Sequence, residues 1–284
     1  MLFVPANNPN MMVNAPIFQP DCIAFDLEDA ISVKEKDSAR DLLVEALKEF
    51  DFGGCEVFTR INALSTPFGE DDIKALVPAG LRKIRLPMCE TQEDVIALDE
   101  LLNKVEHEHQ LPLGCVKIMA SIETAKGVMN SYQIAGASDR VTAISFGAED
   151  FTNSMGIDRS GTGMELFTAR SQIALSASAN GIDSFDTVYI DIDDKEGFCE
   201  EAEQAKQLGF SGKSVIHPSQ VDLVHEIFAP EKEEIEHAKR VIAAIEEAEQ
   251  QGLGVVSLDG KMIDAPVVEK AQRIITLAKG SKLI

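Results

Sequence analysis

The chain is poor in positive charge. Of its 284 residues, 26 are Lys or Arg against 48 Asp or Glu, a formal net charge of −22. That balance repels nucleic-acid backbones and anionic lipid, and excludes both as principal ligands. An anionic small substrate needs local positive charge here, from placed Arg or Lys side chains or from a metal. Long apolar runs are missing too: nothing approaches the ~20 residues that span a bilayer. The opening Met-Leu-Phe-Val-Pro-Ala lacks the basic flank and apolar stretch of a signal peptide. The five cysteines (Cys22, Cys55, Cys89, Cys115, Cys199) are scattered and form no Cys-x-x-Cys pair. This argues against a disulfide framework or a structural zinc site, and for a reducing cytoplasm. No Gly-x-Gly-x-x-Gly follows the first apolar run. Gly212-Lys213-Ser214 fails as a phosphate loop, because Gln207 stands where the first glycine is required.

What is present is an alternation. Apolar or β-branched runs occur at 2–5, 22–27, 55–61, 83–87, 116–122, 141–146, 187–192 and 213–216. Segments of helical period lie between them, such as 38–50 with Leu42, Leu43, Ala46, Leu47 and Phe50 on one face, and 92–105 with Val95, Leu98, Leu101, Leu102 and Val105. Thr91 is placed to cap the second of these helices, although Asp94 in place of Glu or Gln falls short of a full capping box. Eight strands alternating with helices is the count of an α/β (β/α)8 TIM barrel, expected over 1–229. An open doubly wound sheet gives the same alternation; the count of eight and the missing dinucleotide fingerprint favour closure.

Residues 230–284 exceed the single helix that closes a barrel and read as a C-terminal helical appendix. Pro230 opens an amphipathic helix through Gln250 with Ile235, Ala238, Val241, Ile242 and Ile245 as its stripe, and Gly252 stops it. Val255–Leu258 and Lys261–Ile263 form a hairpin about Asp259-Gly260, and Pro266 opens a last helix. These apolar stripes need a surface to bury them, which a homo-oligomer can supply.

Acidic and polar residues collect at the C-terminal ends of the strands, the face that carries barrel active sites. They include Asp26-Leu27-Glu28-Asp29, Arg60, Glu123, Glu149-Asp150, Asp191-Ile192-Asp193-Asp194 and His217. Converging carboxylates repel one another without a cation, and a few oxygen ligands with open water positions suit Mg²⁺. The alternative is helix capping. It fits Asp191, Asp193 and Asp194 better, whereas Glu123 and Asp150, at the ends of consecutive strands, favour metal. Arg60, closing an apolar strand, has the planar fork that grips a carboxylate; its alternative is a salt bridge to Glu28 or Asp29. His217 reads more readily as a structural hydrogen-bonding residue than as a base. The glycines between Met155 and Glu165 suggest a loop above the site. Cys89 stands beside an acid and is a poor thiolate.

Six segments occur in order: Leu-Phe-Val-Pro-Ala-Asn, Phe-Asp-Leu-Glu-Asp-Ala, Arg-Ile-Asn, Ser-Ile-Glu-Thr, Phe-Gly-Ala-Glu-Asp-Phe and Gly-Lys-Ser-Val-Ile-His-Pro. They are followed by Gly-Leu-Gly-Val-Val-Ser-Leu-Asp-Gly-Lys-Met-Ile-Asp-Ala-Pro-Val. Together they resemble the citrate lyase β-subunit branch of the malyl-CoA lyase family of metal-dependent aldolases, across essentially the whole chain. The resemblance implies a Mg²⁺-dependent TIM barrel that cleaves a citryl thioester, on CoA or on an acyl carrier protein, to oxaloacetate and an acetyl thioester. It places the metal carboxylates on Glu123 and Asp150, with Glu123 also facing substrate. The substrate-gripping arginine falls on Arg60, and acids near the metal on Glu28 and Asp29. A tail aspartate that reaches an active site, often a neighbouring subunit's, falls on Asp264, a candidate for proton transfer with the enolate carbon. It also implies a homo-oligomer and, in a citrate lyase, α and γ subunits as partners.

Two departures stand out. Met88 occupies a position where the family often has Lys, and the chain begins inside the first strand, where relatives carry a short leader with arginines. The same site chemistry serves a stand-alone malyl-CoA or citramalyl-CoA lyase. From other classes, a Mg²⁺ phosphoryl- or enolpyruvate-type barrel enzyme is opposed by the few basic residues near the acids, chiefly Arg60 and Arg85. A catalytically idle scaffold subunit is opposed by the intact Glu123, Asp150 and Arg60.

Overall fold

In the computed structural model, which describes residues 1–250, 256–281 and 283–284, eight short strands pair in parallel and in sequence order. They are β1 (Leu2–Pro5), β2 (Cys22–Asp26), β3 (Glu56–Arg60), β4 (Lys83–Leu86), β5 (Lys117–Ile122), β6 (Val141–Phe146), β7 (Asp183–Asp186) and β8 (Gly212–Lys213). The sheet closes on itself. Just beyond β8, the Phe3 N–H donates to the Val215 carbonyl at 2.9 Å and the Val215 N–H to the Met1 carbonyl at 2.8 Å. The fold is the (β/α)8 barrel that the alternation implied.

The helices are α1 (Pro9–Asn14), α2 (Lys36–Glu49), α3 (Gly69–Leu76), α4 (Gln92–Glu108), α5 (Ala125–Ala135), α6 (Ala148–Met155), α7 (Met164–Asn180), α8 (Lys195–Leu208) and α9 (Val221–Phe228), then α10 (Lys232–Gln250) and α11 (Ala265–Gly280). Their buried faces follow the periodicity. Val95, Leu98, Leu102 and Val105 of α4 are buried, as are Leu43 and Ala46 of α2. Phe50 instead ends α2 and stays exposed. Asp94 does complete a capping box: its carboxylate accepts from the backbone N–H of Thr91 at 2.8 Å and of Glu90 at 2.9 Å. The shorter acid reaches the same donor that Glu ordinarily takes.

Side chains alternate across a strand, so every second residue points into the barrel. Met1, Cys22, Ala24, Phe58, Met119 and Ala143 form an apolar floor, with Phe3 and Phe185 packed on it. Two residues further along the same strands stand Asp26, Arg60, Ser121 and Ser145, and beyond Ser121 and Ser145 come Glu123 and Gly147. The interior thus passes from apolar to polar to charged towards the strand C-terminal ends.

Strand β7 lies four residues before the expected run at 187–192. The ladder pairs Ala143, Ile144 and Ser145 of β6 with Asp183, Ser184 and Phe185, while Ile190 and Ile192 are left exposed. Apolarity misleads here because ion pairs, not apolar side chains, bury the end of this strand. Arg170 grips Asp186 with Nε at 3.0 Å and Nη2 at 2.9 Å, and Lys213 Nζ adds a third donor at 3.0 Å. Lys213 also reaches Glu201 at 2.7 Å and the Thr187 carbonyl at 2.8 Å. Burial opposes the Asp186 charge, but Lys213 and Arg170 outweigh it and hold the carboxyl below its ordinary range. The next residue, Thr187, accepts from the Ala148 N–H at 3.0 Å and so fixes the start of α6, the helix that carries Asp150.

By internal contacts the chain divides into two units, Met1–Val224 and His225–Ile284. In the second, β9 (Val256–Leu258) and β10 (Lys261–Ile263) form the expected antiparallel hairpin, with Asp259 and Gly260 both at positive φ (51° and 77°) as a tight turn requires. The stripes of α10 and α11 are buried against each other: Ala238, Val241, Ile263 and Ala271 make a core, flanked by Ile242, Ile245, Val267, Val268, Ile274 and Ile275. These apolar faces are therefore spent largely within the unit, rather than all awaiting another surface. Gly252 and Val255 lie outside the described residues. Among the described residues, no helix is long and apolar enough to cross a membrane.

The Asp186 cluster carries a stability test. Asp186→Ala leaves two buried cations without their shared counter-charge and should destabilise the protein by about 3–5 kcal/mol in denaturant unfolding. A loss below about 1 kcal/mol would show that the cluster does not hold β7 in place.

Candidate active site

At the charged end of the barrel lies a cavity of about 450 Å³ whose lining includes Phe3, Asp26, Asp29, Arg60, Arg85, Glu123, Gly147 and Asp150. Most come from a strand C-terminal end or the turn after it; Phe3 and Arg85 lie within their strands, and Asp150 in the first turn of α6. Glu28, Asp29, Arg60, Glu123 and Asp150 come together in this region. Glu28 and Asp29 contact Arg60, and Glu123 interacts electrostatically with Glu28, Arg60 and Asp150. Asp264 belongs to the second unit, where its carboxylate caps α11 by accepting from the Val267 N–H at 3.3 Å.

Arg60 is more heavily committed than its sequence position signals. Its Nε and Nη2 bind the two oxygens of Asp26 at 2.8 and 2.7 Å. Nη1 lies 3.1 Å from Glu28 and 3.0 Å from Asp29. Asp26 also accepts the backbone N–H groups of Glu28 at 2.9 Å and Ala30 at 3.0 Å, so both its oxygens are occupied. The sequence places it among its acidic neighbours at the end of β2 but gives it no separate role. Burial works against the Asp26 charge, but the Arg60 hydrogen bonds prevail and hold its carboxyl low.

Glu123 is buried at 3% exposure. One oxygen accepts the Met88 N–H at 2.7 Å, with Met88 in the left-handed region at φ 51°. Burial pushes its carboxyl pKa up, against the pull of Arg85 and Arg60. Asp150 is raised as well, by burial and then by the charge of Asp29. Glu28 is pushed up to about 8, chiefly by burial and partly by Glu123 and Asp29. In all three, burial is the largest cause, and neighbouring carboxylates add to it. Among the described residues no three metal-ligating side chains converge tightly enough to hold an ion unaided. A site with Glu123 and Asp150 as its protein ligands, the rest left to water and substrate, fits this donor set and is the habit of Mg²⁺.

Other expected residues lie elsewhere or act structurally. His217 Nδ1 pairs with the Ser219 hydroxyl at 2.7 Å in a helical cap. Asp194 caps α8 through the Gly197 N–H at 2.9 Å. Gly161, Thr162 and Gly163 line a neighbouring cavity with Arg159 and Tyr189, not the one holding Glu123 and Arg60. Cys89 is buried, which raises its thiol pKa well out of the nucleophilic range.

Fold and site define a class: a (β/α)8-barrel enzyme whose mouth suits an anionic substrate beside a divalent cation. Residues 1–218 match the HpcH/HpaI aldolase/citrate lyase family, and the chain belongs to it. Citrate lyase subunit beta of Leuconostoc mesenteroides subsp. cremoris is 49% identical over 100% of this chain and 94% of its own length. Among solved structures, the CitE protein of Mycobacterium tuberculosis in complex with magnesium, acetoacetate and coenzyme A is 31% identical. It superposes with a TM-score of 0.77 over 98% of this chain and 97% of that one. The citrate lyase beta subunit of M. tuberculosis complexed with oxaloacetate and magnesium is also 31% identical, with a TM-score of 0.69 over 81% of this chain and 96% of that one.

Gly147 tests the geometry. A Cβ at this position would stand 2.6 Å from Glu123 Cγ and 3.0 Å from Oε1. Gly147→Ala should therefore displace the carboxylate and weaken Mg²⁺ binding about 10-fold or more by calorimetric titration. Unchanged affinity would mean that Glu123 is not a ligand.

Proposed function

We propose that this chain is a Mg²⁺-dependent carbon–carbon lyase that cleaves a citryl thioester to oxaloacetate and an acetyl thioester, the activity of a citrate lyase β subunit. The observation that carries this reading is the pairing, in one cavity, of the Glu123–Asp150 carboxylates with two arginines that both lie over Phe3, Arg60 at 5.2 Å and Arg85 at 4.7 Å. The 49% identity to a citrate lyase subunit beta across the full chain favours citryl over malyl or citramalyl thioesters.

Glu123 and Asp150 would hold the Mg²⁺, which when bound would supply Lewis-acid stabilisation of developing negative charge on oxygen. Glu123 thereby faces the substrate as well. Arg60, fixed in plane by Asp26, orients a substrate carboxylate and places fixed positive charge where water is excluded. Glu28 and Asp29 hold Arg60 and would hold waters beside a bound metal. A base takes the C3 hydroxyl proton, the adjacent C–C bond breaks, and its electrons pass to the acetyl thioester as an enolate. Asp264 is the candidate to deliver a proton of its own to that enolate carbon, completing the acetyl thioester. The barrel of residues 1–229 carries this chemistry, and the extension 230–284 brings Asp264 to a neighbouring subunit of a homo-oligomer. The thioester is carried by CoA or by an acyl carrier protein, within a complex that includes citrate lyase α and γ subunits. The five cysteines, all free and scattered through the fold, support a cytoplasmic location.

Glu123→Ala and Asp150→Ala should each abolish citryl-CoA cleavage while leaving the fold intact by circular dichroism. Prolonged EDTA treatment should do the same to the unmodified protein, reversibly with Mg²⁺. Full activity after chelation would defeat the metal-dependent reading.

Asp264 needs a different test. Inactive Asp264→Ala and inactive Glu123→Ala proteins, mixed under conditions that exchange subunits, should regain a fraction of activity if sites are shared between chains. Demonstrated exchange with no recovery would place Asp264 outside any shared site.

A further inference from the structure

The cavity's two arginines differ in one respect that the lyase reading leaves unused. Arg60 has three carboxylates within 3.1 Å. Arg85 has none at ion-pair distance among the described residues, although it is the more buried of the pair at 3% exposure. Its Nε donates to the Ser121 hydroxyl at 2.8 Å. Nη1 has only long contacts, with Met1 Sδ at 3.7 Å and the Ser214 hydroxyl at 3.5 Å. Ser121 is itself tied to Ser145 at 3.1 Å, and Phe3 lies under the guanidinium plane. The side chain is thus fixed at its Nε edge, and it is one of the residues that line the cavity. A buried guanidinium that feels the Glu123 charge but has no carboxylate at ion-pair distance is costly to maintain. It is a receptor waiting for a planar anion that accepts two parallel hydrogen bonds.

Building on the lyase reading, we propose that Arg85 binds the second carboxylate of a dicarboxylic keto-acid unit and selects citryl over citramalyl or malyl thioesters. The chemistry of these substrates makes the distinction. A citryl thioester has two free carboxylates and releases a keto acid with two. Malyl and citramalyl thioesters have one and release a keto acid with one. Arg60 and the Glu123–Asp150 centre account for the carboxylate and hydroxyl common to all three. Only the citryl group brings a further carboxylate, and Arg85 is the cavity cation without a carboxylate partner. Its position within β4, deeper along the strand than the turn residues, suits the end of the substrate opposite the thioester. A substrate lacking that carboxylate leaves the guanidinium buried and unpaired, a penalty that acts as discrimination.

The test compares full-length wild type, Arg85→Gln and Arg85→Lys, each with Mg²⁺. Cleavage of citryl-CoA and citramalyl-CoA is measured alongside calorimetric binding of oxaloacetate and pyruvate. Arg85→Gln should lower kcat/KM for citryl-CoA and the affinity for oxaloacetate by about 100-fold or more. Citramalyl-CoA cleavage and pyruvate binding should stay within about 3-fold, which also certifies that the variant is folded. Arg85→Lys keeps the charge without the fork, should fold even if the Gln variant does not, and should lose oxaloacetate affinity selectively. Equal losses for the dicarboxylate and monocarboxylate ligands, or no loss for either, would overturn the assignment. If wild type binds oxaloacetate Arg85-dependently yet cleaves no citryl thioester, the lyase reading fails while Arg85 stands as a dicarboxylate receptor.

Discussion

Excess carboxylate in a closed space is the constraint around which this molecule is organised. Asp26, Glu28, Asp29, Glu123 and Asp150 meet at one end of the barrel with Arg60 and Arg85 as the cations among them. Charges of one sign cannot be brought this close and buried without a compensating cation or a shift towards protonation. Both responses are visible. Arg60 neutralises Asp26 in a two-pronged pair, and burial raises the pKa values of Glu28, Glu123 and Asp150. A divalent cation bound among these carboxylates would offset the remaining negative charge.

The barrel makes that crowding possible. Strand parity carries each chain of inward residues from the apolar floor at Ala24, Phe58 and Met119 up to the charged layer. The charged layer inherits its positions from a packed base. The Arg170–Asp186–Lys213 cluster does the same work on the far side of the barrel, where Thr187 anchors the start of α6. Asp150 is then two residues along a helix whose first N–H is pinned. Small residues matter as much as charged ones: Gly147 is what leaves room for Glu123.

Much of this was legible in the sequence, and the failures have physical reasons. Strands β1 to β6 are short, apolar and bounded by polar turns, so composition located them within a residue or two. Strand β7 was misplaced because Asp183-Ser184-Phe185-Asp186 looks like a loop until its ion-pair partners, distant in sequence, are known. Glu123, Asp150 and Arg60 could be found from their place at strand ends. Asp26 could not be separated from its acidic neighbours, because what distinguishes it is the direction it faces and the four donors it accepts. Asp264 was reached through family resemblance alone, since its local signals are those of a helix cap, a role it does fill. The apolar stripes of α10 and α11 were read correctly, but not that they bury each other.

The central claim, that raised carboxyls are held apart from full ionisation until a dication binds, is open to direct measurement. Mg²⁺ is titrated calorimetrically into the metal-free protein in buffers of differing ionisation enthalpy, and the dependence of apparent enthalpy on buffer counts the protons released. Glu28 sits at about 8 in the metal-free protein. Binding near pH 7 should therefore release protons, and the share that comes from Glu28 should fall away above pH 9, where that carboxyl is already ionised. Binding with no proton release at pH 7, or no binding at millimolar Mg²⁺, would contradict the account.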